Sequence, residues 1–192
     1  MIAIIKYNAG NISSVKNALT RLGYQSIITA DADEILNAEK VIFPGVGQAS
    51  SAMKYLINKK LDKTIMAVKN PMLGICLGQQ LMCEFSEEGN TKCLGIFNTK
   101  VKKFPNYKIV PHMGWNSFVR IEGSLFKGLE NTNDVYFVHS YYAEINEQTT
   151  AVCDYIKPFS AAMQKDNFYS TQFHPEKSAT IGEKILKNFL EL

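Results

Sequence analysis

The pattern of apolar and polar positions differs between the two halves of the chain and divides the predicted elements into two kinds. In the first half short apolar runs alternate with helical stripes. Ile2 to Tyr7 reads as a strand. Val15, Ala18, Leu19 and Leu22 then recur at helical spacing, with Ser13 or Ser14 as the expected cap and Gly23 as the stop. Ser26 to Thr29 and Lys40 to Phe43 read as further strands, the second halted by Pro44-Gly45. A helical stretch from about Ser50 to Lys69, broken near Asn58, leads to a strand at Pro71 to Ile75 and a helix at Leu77 to Phe85. The second half reads differently. Leu94 to Phe104, Asn116 to Ile121, Val135 to Ile145, Thr150 to Ile156, Ser160 to Gln164 and Asn167 to Phe173 read as strands with hairpin-length connections. A closing helix, Thr180 to Leu190, carries the stripe Ile181, Ile185, Leu186 and Phe189. Alternating strands and helices predict an α/β fold, an open, mostly parallel sheet flanked by helices, here with an antiparallel extension. No repeat, low-complexity segment or linker interrupts it.

Composition narrows this picture. A chain of 192 residues suits a single domain spanning 1–192. Hydrophobic residues at 46% and charged residues at 20% exclude a disordered polymer. The net charge of +3 is spread along the chain, and its densest basic stretch, Lys100 to Lys108, holds only four lysines, so no nucleic-acid footprint is expected. No apolar run approaches the roughly 18 residues of a membrane span. Met1-Ile2-Ala3-Ile4-Ile5 runs at once into Lys6 and Asn8, which reads as a buried strand rather than a leader, and a cytoplasmic protein is expected. The four cysteines form no CxxC pair and there are three histidines, so neither a zinc site, another metal or cofactor, nor a disulfide framework is expected.

Chemistry concentrates at a few turns. Gly74-Ile75-Cys76-Leu77-Gly78 lies between a strand and a helix, the Gly-x-nucleophile-x-Gly spacing of a nucleophile elbow. A helix N-terminus behind Cys76 favours a thiolate, and the Leu77 N–H could serve an oxyanion. The pentapeptide alone fits equally well a buried cysteine between glycines used for tight packing. A cysteine nucleophile needs a base and the base an orienting group. Thr171-Gln172-Phe173-His174-Pro175-Glu176 offers both, with His174 at a strand end and Glu176 two residues on. Phe43-Pro44-Gly45-Val46-Gly47 adds a glycine-bracketed turn whose backbone N–H groups can approach a ligand closely.

These elements, in this order, resemble the class I (triad) glutamine amidotransferases. Within that class the finer resemblance is to the glutaminase subunits of imidazole glycerol phosphate synthases. It rests on Tyr7 with Ala9-Gly10-Asn11, Pro44-Gly45-Val46-Gly47, the elbow with Gln80, and Ser86-Glu87-Glu88. It continues through Pro111-His112-Met113-Gly114-Trp115-Asn116, Tyr136-Phe137-Val138-His139-Ser140-Tyr141 and Thr171 to Ser178. The resemblance implies a flavodoxin-like open sheet and a Cys76-His174-Glu176 triad that hydrolyses L-glutamine. It implies an oxyanion site at the N–H groups of Leu77 and Val46, whose turn rearranges to donate. It implies glutamine binding by Gly47, Gln80, Glu88, His139, Ser140 and Tyr141. It also implies a (β/α)8 cyclase partner, receiving ammonia through a tunnel and contacted by Asn11, Trp115, Tyr136 and Lys177. The family's usual Asp-Tyr-Gly-Ala-Gly-Asn start reads Lys6-Tyr7-Asn8-Ala9-Gly10-Asn11 here, Asn98-Thr99 replaces a common Pro-Gly, and Gln79 a common Met. Two rival readings accompany the first: a glutaminase for another amidating synthase, and a catalytically silent regulatory relative.

Overall fold

The computed structural model describes residues 1–192. The first half contains β1 (Ile2–Ile5), α1 (Ile12–Arg21), β2 (Ser26–Thr29), α2 (Ala32–Asn37), β3 (Lys40–Phe43), α3 (Ala49–Asn58), α4 (Leu61–Ala67), β4 (Met72–Ile75) and α5 (Leu77–Met82). The second contains β5 (Phe85–Ser86), β6 (Thr91–Lys92), β7 (Lys100–Lys103), β8 (His112–Ser117), β9 (Arg120–Ile121), β10 (Asp134–His139), β11 (Tyr141–Ala143), β12 (Thr149–Asp154), β13 (Pro158–Lys165), β14 (Phe168–Thr171) and α6 (Ala179–Leu190).

The main sheet has eight strands in the order β2-β1-β3-β4-β14-β13-β12-β9. Pairing is parallel from β2 through β14, then antiparallel from β13 outward. The expected parallel sheet with an antiparallel extension is therefore what forms, although not all the later strands join it. β8 and β10 make a separate ribbon, and β11-β7-β5-β6 a second small sheet.

Period-two alternation in the buried strands feeds two cores. Ile2 and Ile4 of β1 face a cluster closed by Val15, Ala18 and Leu19 of α1 and by Ile185, Leu186 and Phe189 of α6. Ala3 and Ile5 face the other side, closed by Ile35, Leu56, Ile65 and Leu81 from α2, α3, α4 and α5. Ile4, Ile5, Leu19 and Ile35 are completely buried, and each such side chain contributes roughly 1.5–3 kcal/mol on leaving water.

Several expected boundaries move. α1 starts one residue after Asn11, which takes a left-handed conformation (φ 73°), so neither Ser13 nor Ser14 caps it. α2 has no counterpart among the predicted elements; the Asp31 carboxylate caps it by accepting the Glu34 N–H at 3.0 Å. α5 ends at Met82 instead of running to Phe85. The stretch Leu94 to Phe104 is a strand only from Lys100 to Lys103. The N–H groups of Leu94, Gly95, Ile96 and Phe97 turn back to the carbonyls of Leu81, Met82 and Cys83, satisfying acceptors that the end of α5 leaves open. Val135 to Ile145 divides at Ser140, where the chain leaves its pairing with β8 for one with β7.

Candidate active site

Parallel pairing of β3, β4 and β14 brings three strand ends to one edge of the sheet, where ligands sit in open α/β folds. The end of β3 delivers the Pro44 to Gly47 turn, the end of β4 delivers Cys76, and the end of β14 leads to His174. Register fixes the rest. Thr171 pairs with Ile75, and the Cys76 N–H donates to the Thr171 carbonyl at 2.7 Å.

Cys76 has φ 52° and ψ −104°, a conformation that L side chains avoid and that the elbow enforces. Gly78 makes the elbow possible, because a Cβ there would stand 1.9 Å from the Phe43 carbonyl oxygen. Cys76 is only 6% exposed, and its sulfur lies 3.9 Å from the Val138 carbonyl.

His174 is completely buried, and its Nδ1–H donates to Glu176 Oε1 at 2.7 Å. That bond assigns the tautomer and leaves Nε2 as the ring atom with no hydrogen-bond partner in the chain. Burial alone would depress the imidazole. The Cys76 sulfur and then Glu176 outweigh it and push His174 up to about 10, as expected for an imidazolium beside a thiolate. Tyr7 closes the other side. Its ring packs 5.2 Å from that of Phe43, and its hydroxyl lies against Gly45, where a Cβ would stand 2.1 Å from Oη. Burial, and then the nearby sulfur, hold this hydroxyl far above its usual range, so it stays protonated.

A cavity of about 290 Å³ opens beside Cys76, a volume suited to an amino-acid-sized ligand. Its wall includes Val46, Gly47, Leu77, Gln80, Glu88, His139, Ser140 and Tyr141, so every expected oxyanion and glutamine-binding residue reaches it. His174 and Glu176 lie behind the wall, not in it.

At three of these places some atoms are already engaged within the chain. The Leu77 N–H donates to the Gly45 carbonyl at 3.2 Å, and the Val46 carbonyl accepts from the Gly10 N–H at 3.2 Å, so in this conformation the turn itself occupies the oxyanion donor. His139 cannot offer its ring to a ligand. Nδ1–H donates to the Tyr141 carbonyl at 2.7 Å, and Nε2 accepts from His112 Nδ1–H at 3.0 Å. Burial lowers His139 to about 3, keeping it neutral, so only its backbone faces the cavity as a polar group. Glu88 commits Oε2 to the Ala49 N–H at 2.7 Å at the start of α3, leaving Oε1 for a ligand.

The expected partner-contact residues surround the dyad. Trp115 and Met113 on β8 are 54% and 62% exposed, and Trp115 stacks edge-on with Tyr136 at 6.0 Å. The Tyr136 carbonyl accepts the His174 N–H, and the Lys177 N–H donates to the His174 carbonyl. Asn11 Nδ2 donates to Glu176 Oε1, so its amide is committed to the dyad. The sequence alone does not place Asn11, Tyr7 or Gln172 beside these groups; for Gln172 the available signal is its place two residues before His174.

This geometry is that of a cysteine on a strand-to-helix elbow beside a buried histidine–carboxylate pair. The family model for glutamine amidotransferase class-I matches residues 3–192, and the chain belongs to that family. Within the class it groups with the HisH subunits of imidazole glycerol phosphate synthase. The HisH subunit of Bacteroides fragilis (strain YCH46) is 58% identical across 100% of this chain and 99% of its own length. That of Escherichia coli (strain K12) is 45% identical with the same coverage. Among solved structures, a GMP synthase protein from Thermoplasma acidophilum superposes with a TM-score of 0.78 at 20% identity, over 100% of this chain and 92% of the other. PurLQS from Thermotoga maritima gives 0.73 at 16% identity, over 99% and 97%. These two likenesses speak for the shared fold. No helix is long and apolar enough to cross a membrane.

Proposed function

We propose that residues 1–192 act as one cytoplasmic glutaminase domain, the ammonia-producing subunit of an imidazole glycerol phosphate synthase in histidine biosynthesis. The observation that carries the reading is the buried His174–Glu176 bond of 2.7 Å with Nε2 left free beside an elbow cysteine. Cys76 thiolate attacks the side-chain amide carbon of L-glutamine, and the N–H groups of Leu77 and Val46 receive the oxyanion. His174 gives its Nε2 proton to the leaving nitrogen, so ammonia departs and a glutamyl thioester remains. The now neutral His174 takes a proton from water as it attacks the thioester, which releases glutamate and restores the thiolate. Glu176 keeps Nδ1 protonated throughout.

Substrate contacts follow from the atoms still available. Glu88 Oε1 suits the α-ammonium. Gln80 has both amide hydrogens engaged, on the Tyr141 carbonyl at 2.9 Å and Gln172 Oε1 at 3.0 Å, and offers its own Oε1. The backbone around Ser140 suits the α-carboxylate, with Gly47 and Tyr141 as walls. Leu77 is released for the oxyanion only when the Gly45 carbonyl turns away, so the resting protein is a slow glutaminase.

The acceptor of ammonia is a (β/α)8 cyclase docked on the face of Trp115, Tyr136 and Lys177, where an exposed Trp beside a Tyr suits an interface. Asn11, bonded to Glu176, links that face to the dyad. The test is glutamine hydrolysis by this protein alone, with the cyclase, and with cyclase plus acceptor nucleotide. The expected result is a feeble rate alone and a steep rise in the loaded complex. A fast rate indifferent to the cyclase would assign the glutaminase to another synthase, and a formed complex without activity would mark a silent relative.

A further inference from the structure

The mechanism above leaves one buried polar side chain beside the nucleophile unexplained. Gln172 is completely buried, and its Nε2 lies 3.7 Å from Cys76 Sγ, within reach of an N–H to sulfur hydrogen bond. Which end of a buried amide faces a neighbour is ordinarily open to question, but here a chain of bonds decides it. The Tyr141 carbonyl can only accept. Gln80, 2.9 Å from it, must therefore present its NH2 group there. The second hydrogen of that group points to Gln172 at 3.0 Å, so Gln172 must answer with Oε1. Its own NH2 is thereby turned to the sulfur.

Strand register places the pair. β4 and β14 run parallel with Ile75 opposite Thr171, so the next residues, Cys76 and Gln172, emerge side by side from the sheet edge. We propose that Gln172 is a catalytic residue of this glutaminase, a fixed N–H donor to the Cys76 thiolate whose polarity the Gln80 amide and the Tyr141 carbonyl impose. The inference rests on the proposed role of Cys76 as nucleophile. Its consequence is that the sulfur already has one fixed donor, the Gln172 amide, before substrate arrives, while His174 Nε2 stays without a hydrogen-bond partner. The same carbonyl also anchors His139, so one backbone group orients both the cavity wall and the nucleophile's hydrogen bond.

A donor to the anion favours it over the thiol, so removing the donor should raise the pH at which the sulfur becomes reactive. The other titratable groups facing the sulfur are His174 and Tyr7, with Glu176 behind the imidazole, and the test leaves all of them in place. The experiment follows iodoacetamide labelling of Cys76 in the whole protein over a range of pH, read by mass spectrometry of its peptide, with folding checked by circular dichroism. Cys83, Cys93 and Cys153 are buried thiols pushed upward, and they label separately in the peptide map. Gln172→Met keeps the length and loses the donor, and should move the midpoint up by about one pH unit. Gln80→Met, which leaves Gln172 intact but frees it to rotate, should move it in the same direction by less. Unchanged midpoints in the folded variants overturn the proposal. Should Gln172→Met not fold, the Gln80→Met midpoint decides alone, a shift supporting the relay and its absence overturning it. If Cys76 does not label at any pH in the unaltered protein, the nucleophile assignment itself fails, an outcome distinct from both.

Discussion

Cys76 holds a positive-φ backbone that only its surroundings make tolerable. The φ of 52° with ψ of −104° costs on the order of 1–3 kcal/mol for a residue with a Cβ, and the cost is met by neighbouring packing and the bond to Thr171. Glycine adopts positive φ more readily, so Cys76→Gly should resist denaturant better than Cys76→Ala by roughly 1 kcal/mol. Urea titration of the two variants makes the comparison; equal midpoints would mean the elbow is unstrained. The same Cys76→Ala change should abolish glutamine-dependent synthesis while ammonia-dependent synthesis by the partner continues. It should also bring His174 down from about 10, because the sulfur is the largest influence raising it. A proton NMR titration of the His174 ring in the two proteins reads that shift. Of the residues in the site, Cys76, His174 and Glu176 were legible from spacing and residue type. The ring of His139 was not, because its partner His112 is set by a pairing of β8 with β10 that no local pattern reveals.

The elbow at the element scale is a helix pressed onto a strand. Gly78 in α5 sits so close to β3 that an added methyl would overlap the Phe43 carbonyl oxygen at 1.9 Å, and a backbone carbonyl cannot swing aside as a side chain can. Gly78→Ala should therefore cost about 2 kcal/mol or more and displace the helix start, so that stability and glutaminase rate fall together. Thermal melting and single-turnover assays read both, and a stable variant with normal turnover would contradict the packing described. Strands with strong apolar runs, such as Lys40 to Phe43, were readable to the residue. α2 was too short at six residues to show a period. The segment after α5 misleads because its apolar side chains are buried by wrapping a helix end, which produces the composition of a strand without a strand partner.

Over the whole molecule, neutral buried histidines shape the response to pH. His139 donates to Tyr141, so it must accept from His112, which in turn leaves His112 Nε2 facing the Asn116 amide at 3.5 Å. A proton added to either ring sets two donors against each other. Burial holds His112 at about 4 and His139 at about 3, against an ordinary 6.5. In the unfolded chain both take up protons as pH falls below about 6.5. The stability they confer is thus complete above that value and drains away as pH falls towards 4 and 3. Each steepens the loss by up to about 1.4 kcal/mol per pH unit. Unfolding midpoints measured from pH 7.5 to 4.5 should fall, and His112→Gln with His139→Gln should flatten the slope. An equally steep slope in that variant would place the acid-sensitive groups elsewhere.

The exposed face carries a separate expectation. Trp115→Ala should weaken docking of the cyclase at least tenfold by calorimetry, on the order of 2 kcal/mol for a buried aromatic anchor, and leave the protein's own fold intact, since Trp115 is 54% exposed. Unchanged affinity would remove it from the interface. That face was legible only as a resemblance. Taken singly, Trp115 and Tyr136 would pass for core residues, and their outward display depends on β8 and β10 forming a ribbon apart from the main sheet.

The place of β14 in the sheet has a consequence for synthesis. Although it is the last strand in chain order, it lies inside the sheet, between β4 and β13. While the ribosome is still making the chain, β4 must wait with an open parallel edge, and Cys76 stands without His174. Only when residues 168–176 have emerged can the gap close and the triad assemble in one event. On the proposed mechanism, ammonia production waits for completion of the fold, and a nascent chain stalled before β14 carries both a cysteine without its histidine and an edge that invites the wrong neighbour.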